Sequence, residues 1–110
     1  MNITEIAKVA KALEGFDPEA IACGQAVSVC SLLVEMGLMR ATLEDVVDGL
    51  YDRFEGMIPR SHLEVKAGEA IEAGLKFGMF ERLDEETVSM SYEGTVIGEE
   101  WLARLESEKN

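Results

Sequence analysis

Leu43, Val46, Val47, Leu50, Tyr51 and Phe54 stand at i, i+3, i+4, i+7, i+8 and i+11. That spacing puts six apolar side chains on one face of an α-helix. The other positions carry Glu44, Asp45, Asp48, Asp52 and Glu55. A helix divided this way is stable only against other elements, so the chain must supply neighbours for it. Helical spacing also runs through 18–36 and 61–78. It then gives way to a period of two, in which Val88, Met90 and Tyr92 alternate with Thr87, Ser89 and Ser91. Such alternation predicts a strand with one buried face. Met79–Leu83 is its expected partner, with Asp84, Glu85 and Glu86 at the hairpin tip. Helical spacing resumes over Glu99–Leu105 with Trp101, Leu102 and Leu105. The expected class is mainly α with a small β-hairpin, in one domain spanning all 110 residues.

Capping residues mark the boundaries. Asn2 with Glu5 opens a helix over 3–14 that carries Ile3, Ile6, Val9, Ala10 and Leu13 and stops at Gly15. Asp17 and Pro18 suit the N-cap and first position of a second helix, which Gly37 ends. Thr42 caps the third helix, with Asp45 near the positive end of its dipole. Ser61 and Glu64 form a capping box for a fourth helix that ends near Gly78. Leu63, Ala67, Ala70, Ile71, Gly74 and Leu75 line its inner face, small enough in places to let another helix approach.

The rare residues restrict the chemistry. Ala20–Met39 is apolar enough to suggest a membrane span. Gln25, Ser28, Ser31 and Glu35, however, recur every three or four residues as one polar stripe, the mark of a buried helix in a soluble protein. No basic leader is apparent, since Glu5 stands where one would carry Lys or Arg. Cys23 and Cys30, seven apart on one helix face, are too far separated to bridge each other and read as core thiols in a reducing cytoplasm. No Cys/His group suggests zinc. His62 is the only histidine; with no triad pattern around it, it reads as a solvent-facing residue near a helix start. No phosphate loop is present, and no cofactor or catalytic residue is expected. Met36, Met39, Met57, Met79 and Met90 read as core filler or, alternatively, as a docking groove, with Met57-Ile58-Pro59 an apolar edge.

The order helix, helix, helix, hairpin resembles the winged-helix (winged helix-turn-helix) family. Tyr92-x-x-Thr95-x-x-Gly98-x-x-Trp101-Leu102 looks like the end of many winged-helix regulators. Ala73-Gly74-Leu75-Lys76-Phe77-Gly78-Met79-Phe80-Glu81-Arg82 resembles the family's passage from recognition helix into strand. The similarity spans Pro18 to Leu105, leaving 1–15 as an accessory helix. Gly94 departs from the pattern, where an apolar strand residue is usual, and predicts a short or bulged last strand. The resemblance implies that residues 62–78 form a recognition helix, with Arg60, Ser61, His62 and Lys66 as DNA contacts. It also implies a homodimer through residues 3–14 and the last helix, by way of Trp101 and Leu105; the alternative is that 3–14 folds back on its own core.

Charge opposes the DNA reading. Acids outnumber bases 22 to 10, a net charge of −12. Residues 56–83 carry four of each, and residues 84–110 carry eight acids against two bases. Phosphate binding needs clustered cations. The expectation is therefore a non-enzymatic acidic winged-helix module that binds another, basic protein and no membrane. Its surfaces would be Glu44, Asp45, Asp48, Asp52 and Glu55 on the third helix, with Asp84, Glu85 and Glu86 at the hairpin tip. In its sharper form it is a DNA mimic that occupies a basic nucleic-acid-binding partner, as phage-encoded inhibitors of host defence do. The alternatives are acids that serve only solubility, and a dimeric winged-helix transcription regulator.

Overall fold

The computed structural model describes residues 18–108. The elements are α1 (Pro18–Met36), β1 (Arg40–Thr42), α2 (Leu43–Arg53), α3 (Arg60–Lys76), β2 (Phe80–Arg82), β3 (Thr87–Met90) and α4 (Tyr92–Glu108). The protein is mainly helical, with a small antiparallel sheet in the order β1-β3-β2. The expected helix over 3–14 and the Asp17 cap lie outside the described residues.

Helix α1 packs against α3 and α4, and α2 packs against α3. The core joins Cys30, Leu32 and Leu33 of α1, Val46 and Val47 of α2, Leu63 and Ala67 of α3, and Phe80 and Val88 of the sheet. Burying each larger aliphatic side chain among these contributes about 1.5–3 kcal/mol. Helices α1 and α3 stop in the same way. The Leu38 N–H reaches back to the Leu33 carbonyl at 2.9 Å and the Met79 N–H to the Gly74 carbonyl at 2.8 Å. The residues that make these turns, Gly37 and Gly78, have φ of +72° and +77°, a conformation glycine adopts without a Cβ clash.

Several sequence expectations are corrected. Strand β1 had no sequence signal, because three residues are too few to show an alternation. Ala41 is nonetheless buried opposite Val88. Thr42 ends the strand and caps α2. Its Oγ1 accepts from the Asp45 N–H at 3.2 Å, and Asp45 accepts from the Thr42 N–H at 2.9 Å, a full capping box. The Ser61–Glu64 box does not form. Pro59, at φ −58° and ψ 140°, is the last non-helical residue, so the helix begins at Arg60 and Ser61 is already inside it. Gly74 admits the ring of Phe80 in place of a helix.

Strand β3 is shorter than the alternation predicts. It ends at Met90, and Tyr92 and Gly94 belong to α4. Ser91 causes the change. Its Oγ donates to the Gly78 carbonyl at 2.5 Å and accepts from the Gly94 N–H at 3.1 Å, so it caps the helix and ties it to the start of β2. Met79 and Met90 are core residues, as expected, but Met36, Met39 and Met57 are exposed.

The polar stripe of α1 is partly turned inward. Ser31 is fully buried and donates to the Ser28 carbonyl at 2.7 Å. Arg53, at the end of α2, donates to Ser31 at 3.4 Å and to Glu35 at 3.2 Å. The stripe is thus an interhelical seam. Among the described residues α1 is the helix long and apolar enough, by length and composition, to cross a membrane, with a mean hydropathy of 1.4.

Helices α1 and α4 pack closely enough for their backbones to touch. A Cβ added at Gly98 would stand 2.7 Å from the Cys30 carbonyl oxygen, so the two backbones could not stay at their present separation. Gly98→Ala is expected to destabilise the fold by about 1–3 kcal/mol, seen as a lower urea midpoint at unchanged slope. Thr42→Ala removes the α2 cap and is expected to lose about 1 kcal/mol in the same measurement.

Candidate protein-interaction surface

Two acidic segments were expected to form the surface, and the structure divides their eight residues by task. Glu44, Asp48 and Asp52 of α2 are exposed; so is Glu55, which the sequence placed on this helix but which lies beyond it, at φ +55° in the turn after the Phe54 cap. The three on α2 fall on successive turns of one helix face, about 6 Å apart along the axis. Asp45 is turned inward as the cap partner of Thr42. At the hairpin tip, Asp84 accepts from the Glu86 and Thr87 N–H groups, both at 2.8 Å, and so builds the turn. Glu85 and Glu86 are exposed. Arg82 braces the tip from beneath, donating to the Glu85 carbonyl at 3.3 Å and to the Glu72 carboxylate at 3.2 Å.

The tip and the start of α2 come together across one open cleft of about 540 Å³. Glu44, Glu85 and Glu86 line its mouth together with Glu72 of α3. Asp52, at the far end of α2, and Glu55 beyond it are not part of it. Glu72 was not singled out in the sequence, where it is one acid among interleaved charges. Only the packing of α3 under the sheet end brings it to the cleft.

The alternative DNA-contact residues lie at the start of α3. Ser61 and His62 are exposed. Arg60 is held by Asp48 at 2.6 Å, with its guanidinium 5.6 Å from the centre of the Tyr51 ring. Lys66 is 3.5 Å from Glu69, and Lys76 is 3.0 Å from Glu19. Each base of α3 therefore has a carboxylate beside it. Such exposed pairs stabilise the fold by at most about 1 kcal/mol, but they cancel the local positive potential that phosphate contacts need.

Cys30 is buried, and burial pushes its thiol up to about 12, so it stays protonated and poorly nucleophilic near neutrality. Cys23 is only half-buried, and both thiols are free. Among the described residues no group of three or more His, Cys, Asp or Glu side chains is placed to hold a metal ion.

The tip makes a pH prediction. The Glu86 N–H, then the Thr87 N–H and Arg82, hold the Asp84 carboxyl below its ordinary value of 3.8. A depressed folded value stabilises the turn above the unfolded value and loses that effect as pH falls through the folded one. An NMR titration of the Asp84 carboxyl should give a midpoint below 3.8, with the Glu86 and Thr87 amide shifts moving in step. Comparison with known proteins gives no match for this chain, whether among family profiles, curated proteins or solved structures.

Proposed function

We propose that this chain is a non-enzymatic interaction module of winged-helix architecture that binds a basic surface on another protein. The order helix, helix, helix, hairpin, with β1 laid along β3, supports the architecture. The observation that carries the function is the state of α3. The helix that would enter a major groove has Arg60, Lys66 and Lys76 each beside a carboxylate, while the neighbouring tip presents Glu85 and Glu86. A net charge of −12 adds repulsion toward any polyanion. Glu44 and Asp52 of α2, with Glu55 just beyond it, supply the complementary surface, beside Asp48, whose charge is shared with Arg60. In a DNA-mimic form of the module, this row of carboxylates stands in for a run of phosphates. Residence in a reducing cytoplasm, and self-association through residues 3–14 with the half-buried Trp101 and Leu105, belong to the same proposal.

Titration of the full chain into labelled random duplex at low salt should show no binding. A basic nucleic-acid-binding protein captured from lysate should be retained after nuclease treatment, and Asp48→Lys with Asp52→Lys should release it. Duplex binding that weakens steeply with salt would instead support the transcription-regulator reading and overturn this one.

A further inference from the structure

The cleft under the hairpin tip has features that neither its acidity nor the stability of the fold explains. Its floor is apolar. Ala41, Ile71 and Val88 belong to the core, and Leu43 beside them is 42% exposed. Its mouth holds Glu44, Glu72, Glu85 and Glu86 against the single guanidinium of Arg82. Arg82 is already held by Glu72 and the tip carbonyls, so it is not free to fill the space. A volume of about 540 Å³ is that of a small-ligand or peptide site.

Gly68 shapes the access to that floor. It lies mid-helix in α3 and lines the cleft wall. A glycine there lowers helix stability relative to alanine. At Gly74 and Gly98 a neighbour occupies the Cβ space, but a Cβ at Gly68 would meet nothing within 4 Å. Internal packing does not require this glycine, as it does not require Gly24 in α1; what Gly68 contributes is a stretch of cleft wall without a side chain, which leaves the floor accessible.

We propose that the cleft binds a basic peptide segment of the partner protein. The aliphatic stem of an Arg or Lys lies over Leu43, Ile71 and Val88, with its cationic head among Glu44, Glu85 and Glu86. Long cationic side chains suit such a place because they cover apolar surface while keeping the charge at the rim. A second copy of this chain is disfavoured as occupant by its own charge of −12, and nucleic acid by the acidic rim. The inference rests on the acidic-module reading and assigns its partner's anchor to this cleft.

The test uses a fluorescein-labelled Gly-Arg-Leu-Arg-Gly peptide and the full chain, read by fluorescence anisotropy at low salt. Saturable binding is expected, with 15N-edited NMR shifts at the Gly68 amide and methyl shifts at Leu43 and Ile71. Gly68→Leu fills the cleft and should weaken binding at least tenfold without lowering the melting temperature. Glu85→Gln with Glu86→Gln should weaken it by a similar factor, and the peptide with Glu in place of Arg should not bind. If the peptide does not bind, or if Gly68→Leu leaves affinity and shifts unchanged, the cleft assignment is overturned. Binding that survives Gly68→Leu but is abolished by Asp48→Lys with Asp52→Lys would overturn the cleft while leaving the acidic module standing. Duplex binding in the separate assay is what would remove the module itself.

Discussion

The close approach of α4 to α1 at Gly98 organises the rest of the structure. With only a hydrogen at that position, the two backbones can meet at the Cys30 carbonyl. Helix α1 is thereby held on one side by α4 and on another by α3. Interiors packed at this density do not absorb an added methyl group easily, so the contact fixes the distance between helices. Ser91 fixes where α4 begins, and its bond to the Gly78 carbonyl ties that point to the end of α3 and the entry to β2. The β2–β3 hairpin is short because the chain turns into helix immediately after Met90. Its tip is therefore held over α3, and that placement creates the cleft.

The surface electrostatics have two parts. One is a set of exposed ion pairs: Arg60 with Asp48, Lys66 with Glu69, Lys76 with Glu19 and Arg82 with Glu72. They add little stability individually, yet each places a carboxylate beside a base of α3 or of β2. The other part is the exposed acids that project from α2 and from the tip. Because Asp45 and Asp84 are engaged in a cap and a turn, the acids available to a partner are fewer than the sequence count suggests. They are concentrated at Glu44, Glu85 and Glu86 near the cleft and at Asp52 and Glu55 away from it.

The helices of the described region were legible in the sequence for local reasons. Apolar residues at helical spacing need a common face, and Gly37 and Gly78 mark ends that only an adjacent turn requires. The hairpin was legible because Val88 and Met90 alternate with polar residues beside an acidic tip. The misread positions are those where a residue answers to a distant partner. Ser91 reads as an outward strand residue until the Gly78 carbonyl is near it, and Ser31 as part of a solvent stripe until Arg53 covers it. Met36, Met39 and Met57 have the composition of a core but not its location.

Local chemistry therefore determined that α1, α2, α3 and the β2–β3 hairpin form, where α1 and α3 end, and that the molecule as a whole is strongly anionic, because each of these depends on residues within a few turns or on a sum over the chain. Tertiary packing alone decided that β1 exists, that Tyr92–Gly98 is helical, that the bases of α3 have carboxylates beside them, and that Glu72 joins Glu44 and the tip around one cleft. Those features depend on side chains far apart in sequence meeting at distances of a few ångströms, and no pattern along a single chain records such a distance.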